Sequence, residues 1–210
     1  EEIKSMEEAS FFLEEYKRVV NAIIDNNLDS NLSIKPTAFG LLLDKEKGME
    51  NIETLVQMAN GHDMFVRLDM EDHRVTDYTI QVMLDMHEKG LTNVGVVLQG
   101  RLFRTLDDIQ KIASELGPNA DYRICKGIYL EPEDIAHTDR QPIIQATNEC
   151  IDAMLDSGAY VGIASHDHPV INHTLEALKK RGMNPNESDP RKNAAKPRKQ
   201  RGPGYEFQML

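Results

Sequence analysis

The stretch Tyr122-Arg123-Ile124-Cys125-Lys126-Gly127-Ile128-Tyr129 holds two cations three residues apart and a glycine just beyond them. On an extended strand, residues three apart face opposite sides. Arg123 and Lys126 therefore converge only if the strand ends between them and the chain turns, and Gly127 is where a turn costs least. Two converging cations beside free backbone N–H groups suit an anionic ligand, such as a phosphate or an electron-rich ring. Four more positions repeat the pattern: Lys35, Asp69, Gln99 and His166 each close a short apolar segment. Each also has a plain structural reading. Lys35 could be a solvated lysine at a turn, Asp69 a helix N-cap, Gln99 a partner for loop backbone, and His166 a lone cap. Such readings are less plausible together, at five consecutive segment ends, than singly.

Two other chemistries use some of the same residues. His166, Asp167 and His168, with Asp69, have the look of a metal-dependent hydrolase site. Such a site needs further ligands, and Lys35, Gln99 and Arg123 are not ligands of choice, so no metal is expected. Lys126 could form a Schiff base if Arg123 depressed its basicity.

The elements that would carry these residues follow from hydrophobic periodicity. Residues 1 to about 27 read as a helix with an apolar stripe of Phe11, Phe12, Tyr16, Val19, Val20, Ile23 and Ile24. Short strands are expected at 32–35, 64–69, 94–99, 122–126, 160–166 and 205–210. Helices are expected near 50–59, 76–89, 105–116 (opened by Thr105), 141–157 and 169–181. Strand alternating with helix is the pattern of a parallel sheet. The polar strand ends lie 34, 30, 27 and 40 residues apart. A (β/α)8 barrel of typically ~250 residues has about 31 per unit. The expected fold class is therefore α/β, a TIM-type barrel. A doubly wound sheet is the runner-up, but no G-x-G-x-x-G follows the first strand. Six strands are visible where closure takes eight, so the barrel is expected to be incomplete in this chain, with a piece missing at each end.

Composition bounds the rest. The 210 residues suffice for a single barrel domain spanning 1–210. The net charge of −11 argues against a nucleic-acid partner. Cys125 and Cys150 have no metal or redox spacing, which suits a reducing, cytoplasmic setting. No apolar run approaches the roughly 20 residues of a membrane helix. Residues 184–204 are rich in Pro, Asn, Lys and Arg and read as a mobile basic loop that could touch a partner or anionic lipid.

Six segments together resemble one family. They are Ser33-Ile34-Lys35-Pro36-Thr37, Val66 to Asp72, Gly95 to Gln99, Arg123 to Glu131, Ile163 to Asp167 and Tyr205 to Leu210. In this order and spacing they resemble proline dehydrogenase of the short, monofunctional bacterial type, the FAD-dependent barrel enzyme that oxidises L-proline to Δ1-pyrroline-5-carboxylate. The resemblance implies that Lys35 contacts the substrate carboxylate and that Asp69 is an active-site acid ordering the substrate pocket. Met70 and Gln99 would contact the flavin, and Arg123 would lie against its reactive edge. Lys126, Gly127 and Ile128 would line the flavin and its phosphates, with Ser165 and His166 holding it from the next strand. A guanidinium beside a ring that gains negative charge on reduction stabilises that charge as it develops. The cofactor carries the redox chemistry, and the protein supplies position and field. Family analogy also implies a membrane quinone as electron acceptor and peripheral membrane association. A non-catalytic barrel fragment stays open as an alternative.

The chain departs from the family pattern in places. Ser165 stands where many members carry threonine, and Ile128 where alanine is common. The family's last helix, with its paired arginine and a tyrosine, has no counterpart here. If the chain is complete as given, weak or no proline oxidation is expected.

Overall fold

A computed structural model describes residues 3–183 and 203–209. The expected basic loop at 184–204 falls largely outside them. Its last residue, Gly204, begins a strand. In order, the elements are α1 (Met6–Asp25), β1 (Leu32–Ile34), α2 (Lys45–Asn60), β2 (Val66–Leu68), α3 (His73–Glu88) and β3 (Val94–Gln99). They continue with α4 (Thr105–Leu116), β4 (Asp121–Cys125), α5 (Arg140–Asp156), β5 (Tyr160–Ile163), α6 (His168–Lys180) and β6 (Gly204–Phe207). The strands are parallel and follow chain order. This is the α/β alternation expected of a (β/α) barrel.

The described residues form two compact units, and the division falls inside β3, between Val96 and Val97. In the first unit, Ser33 on β1 is level with Arg67 on β2, which is level with Gly95 on β3. The Asp69 N–H donates to the Ile34 carbonyl at 2.8 Å, so the ladder runs one residue past β2. Because alternate residues share a face, Arg67 and Asp69 lie on one side of β2. Val66 and Leu68, both fully buried, lie on the other.

In the second unit, Arg123 on β4 is level with Gly162 on β5, which is level with Glu206 on β6. Tyr160 and Gly162 thus share a face with Asp121, Arg123 and Cys125. The tips of β3 and β4 are tied by the Gly100 N–H to the Cys125 carbonyl, 2.8 Å, and by the Arg101 N–H to the Lys126 carbonyl, 3.1 Å.

Local chemistry explains most helix ends. Ser5, Asp44 and Asp72 each accept a backbone N–H in the first turn of α1, α2 and α3. Gly90, just past α3, has φ +80°, the left-handed conformation that ends a helix. The helix α4 runs from Thr105 to Leu116, as expected. The Thr105 hydroxyl donates to the Gln99 carbonyl at 2.6 Å, and Arg104 precedes the helix, paired with Asp108 one turn on. The stripe on α1 is corrected. Ala9, Leu13, Val20 and Ile23 are buried, whereas Phe11, Phe12 and Val19 are exposed. The helix thus carries two overlapping sets of apolar positions, and the set of Ala9, Leu13, Val20 and Ile23 is the one turned inward.

Candidate active site

The rim of the first unit is built on Asp69. Its carboxylate accepts from the Ser33 hydroxyl at 2.6 Å and from the Lys35 ammonium at 3.3 Å. Lys35 lies one residue beyond β1 and Asp69 one beyond β2, which places both on the Ser33–Arg67 face. Asp72, not Asp69, caps α3, so Asp69 is not a helix cap. The Lys35 side chain is 59% exposed and that of Asp69 22%, so this is a wet, accessible pair.

Tyr16 from α1 stands near it, packed on the Phe39 ring at 5.3 Å. Burial raises the Tyr16 phenol above its ordinary value, the Asp69 carboxylate adds to the rise, and Lys35 offsets part of it. Glu71 fixes the adjoining turns by accepting from the Thr37 N–H and hydroxyl, 2.9 and 2.7 Å. Met70 is buried in this unit.

The rim of the second unit is tighter. Arg123 donates through Nε to the Gln208 amide oxygen. Gly162 makes room for that contact, because a Cβ there would come within 2.7 Å of the Gln208 nitrogen. Lys126 donates to Asp167 at 2.7 Å, Arg140 donates to the other oxygen at 2.8 Å, and the Asp167 N–H is held by the Ser165 hydroxyl at 3.1 Å. The Asp167 side chain is only 8% exposed. The Lys126 hydrogen bond first, and Arg140 as well, keep its carboxyl below the ordinary carboxylate range.

Gly127 has φ +95°, the turn that its type suggested. The Gln99 amide lies where a Gly127 side chain would be, 2.5 Å from an ideal Cβ. Gln99 is buried, while His166 and Ile128 are exposed.

Within the first unit, then, Lys35 and Asp69 meet directly. Within the second, Gln99 adjoins Gly127, and Lys126 and Ser165 meet at Asp167. The convergence expected of Arg123 and Lys126 takes a different form: the turn is there, but each cation has its own acceptor. Lys126 is engaged as a donor to a carboxylate, the opposite of a nucleophilic lysine. The capping reading of His166 does not hold either, since Asp167 occupies the N-cap position of α6. Sequence reasoning missed Ser33, Gln208 and Arg140. Ser33 was findable, because it lies two residues before Lys35 and therefore on the same strand face.

The donors are guanidinium, ammonium, amide and hydroxyl groups with buried or partly buried anchors. That set fits a ligand that is anionic or becomes so, as a flavin nucleotide does. Among the described residues no three His, Cys, Asp or Glu side chains form a metal-ligating group.

The proline dehydrogenase family model matches residues 1–210. Proline dehydrogenase 2 of Bacillus subtilis (strain 168) is 32% identical over 181 residues, 86% of this chain and 58% of the relative. Proline dehydrogenase 1 of the same strain is 32% identical over 174 residues, 83% and 56%. The proline dehydrogenase of Deinococcus radiodurans is 30% identical over 174 residues, 81% and 55%. The chain thus spans little more than half the length of the curated relatives it matches.

Among solved structures, proline utilization A from Bdellovibrio bacteriovorus superposes with a TM-score of 0.81 at 18% identity, over 100% of this chain and 25% of that one. The Bradyrhizobium japonicum protein gives 0.77 at 15%, over 99% and 23%. At such identities the likeness speaks for the fold alone. The metal-hydrolase reading has no support in these matches. With parallel strands in chain order and a family match over every residue, the chain belongs to the proline dehydrogenase family.

Proposed function

We propose that this chain carries the flavin-binding and part of the substrate-binding surface of an enzyme that oxidises L-proline to Δ1-pyrroline-5-carboxylate. In that reaction the carbon next to the ring nitrogen loses a hydride equivalent, the nitrogen loses a proton, and a C=N bond forms. Bound FAD would supply the two-electron acceptor.

The observation that carries this reading is Arg123. Its guanidinium is fixed by Gln208 on the inner part of β4, where Gly162 on the paired strand clears the space. A fixed cation needs no reorganisation when negative charge develops nearby, and such preorganised donors are worth roughly 10²–10³ in rate.

Family membership and the contacts within each unit support the other roles. Lys35, mostly exposed, suits the carboxylate of a substrate that comes and goes. Asp69 orients it and, with Ser33 and Tyr16, orders that part of the pocket. In the second unit, Gln99 would pack against the flavin. Lys126, Gly127 and Ile128 would follow its edge and phosphates, with Ser165 and His166 on the next strand. The reduced cofactor must pass electrons on, and a membrane quinone is the acceptor that family membership suggests. Among the described residues no helix is long and apolar enough to cross a membrane. Peripheral association from the cytoplasm is the route to a quinone that the family resemblance suggests.

The test is binding and bleaching. The purified chain should take up FAD as a yellow complex with micromolar or tighter affinity, and L-proline should bleach it anaerobically. Saturable flavin uptake with no bleaching by proline would leave a non-catalytic module. No uptake at all would refute the reading.

A further inference from the structure

Arg101, in the turn between β3 and α4, is nine-tenths buried, and its contacts converge on one short segment. Its backbone N–H donates to the Lys126 carbonyl at 3.1 Å. Its guanidinium donates through Nη1 to the Tyr129 carbonyl. The stem between them lies over Gly127, its Cδ and Cγ only 2.9 and 3.1 Å from where a Cβ would stand. Its own carbonyl accepts from the His137 N–H at 2.8 Å, which ties the returning loop to the same residue. Arg101 thus holds both ends of the 126–129 turn, one through its backbone N–H and the other through its guanidinium, and its stem fills the inside. A buried guanidinium is expensive, and among the described residues its Nε has no hydrogen-bond partner and no ion pair offsets its charge. Packing alone would be met more cheaply by an apolar side chain.

We propose that Arg101 is a positioning residue: by holding the Lys126 and Tyr129 carbonyls toward itself, it turns the Gly127 and Leu130 N–H groups the other way, toward the phosphate-class part of the ligand. The geometry follows from the trans peptide, whose C=O and N–H point in opposite directions. Pinning the two carbonyls therefore aims the two following donors. Gly127 is needed twice, for its φ of +95° and for the space that the Arg101 stem occupies. Backbone donors presented this way suit phosphate oxygens.

This inference rests on the flavin reading, and a ligand series separates the two. Binding of riboflavin, FMN and FAD is measured by fluorescence quenching for the unaltered chain and for Arg101→Met, Arg101→Gln and Arg101→Lys. Trypsin cleavage after Lys126 is followed by mass spectrometry. Arg101→Met and Arg101→Gln should weaken FMN and FAD about tenfold while riboflavin changes less than about twofold, the loss of roughly one hydrogen-bonded contact. Arg101→Lys, which can still donate to Tyr129, should recover part of the loss. Cleavage after Lys126 should quicken in Arg101→Met as the turn loosens. Equal weakening of all three flavins, or none, would overturn the proposal, because a merely structural residue would not single out phosphate. If the unaltered chain binds no flavin, the functional reading fails. Unchanged cleavage after Lys126 would then overturn the turn-holding role independently.

Discussion

The two rims differ in how firmly they hold their charges. In the first unit, Lys35 and Asp69 meet at 3.3 Å with the lysine mostly in water. In the second, Lys126 and Arg140 converge on the Asp167 carboxylate, which is almost fully covered, the Asp167 N–H donates to the Ser165 hydroxyl, and Arg123 is fixed by a side-chain amide. An exposed pair has little net energy and breaks easily. A covered network resists rearrangement, because opening it leaves buried charge without a partner. The contrast matches the proposed division of labour: a loose rim for a substrate that exchanges, and a rigid rim for a cofactor that stays.

The strongest way to break that contrast is to remove one cation from each rim. Arg123→Met should slow flavin reduction by L-proline roughly 10²–10³-fold with little change in the proline concentration needed. Lys35→Met should mainly raise that concentration, about tenfold or more, the value of a charge-assisted contact to a carboxylate. Stopped-flow reduction across a proline series reads both. If the two variants gave the same pattern, the division of labour would be wrong.

The same contrast predicts stability. Asp167→Ala should cost about 2–3 kcal/mol, because Lys126 and Arg140 lose a covered partner. That figure is held below the full buried-pair value because both cations are partly exposed. Asp69→Asn should cost less than about 1 kcal/mol. Urea unfolding of both variants compares them directly.

Gly127→Ala should cost roughly 1–2 kcal/mol for a left-handed conformation. It should also disturb Gln99, whose amide lies 2.5 Å from the added Cβ, and so weaken flavin binding more than it lowers stability.

The smallest effect concerns acid. Asp167 is held below its ordinary carboxylate value. Its contribution is complete above the unfolded value of about 4 and fades as pH falls through the depressed folded value. Asp167→Asn should therefore flatten the acid limb of a stability–pH curve, whereas the basic limb should stay put.

The fold was largely legible because the signal is local. Each strand is a short apolar run, each helix has its period, and Lys35, Asp69, Gln99, Lys126 and His166 stand at strand ends by simple adjacency. What was not legible is pairing across the sheet. Arg123 finds Gln208 eighty-five residues away, and Lys126 finds Asp167 across forty-one. Nothing in the local pattern distinguishes those partners from other polar residues. The α1 face was misread for the same reason. Phe11 and Phe12 carry more apolar area than Ala9 and Leu13, yet Ala9 and Leu13 are the buried ones, and which face turns inward is set by non-local neighbours.

The most direct test is one anaerobic absorbance experiment on the purified chain with FAD, before and after L-proline. The account predicts a flavin spectrum that survives desalting and fades on adding proline, with Arg123→Met keeping the spectrum and losing the fading. A chain that retains no flavin, or an Arg123→Met variant that bleaches as fast as the unaltered protein, would contradict it.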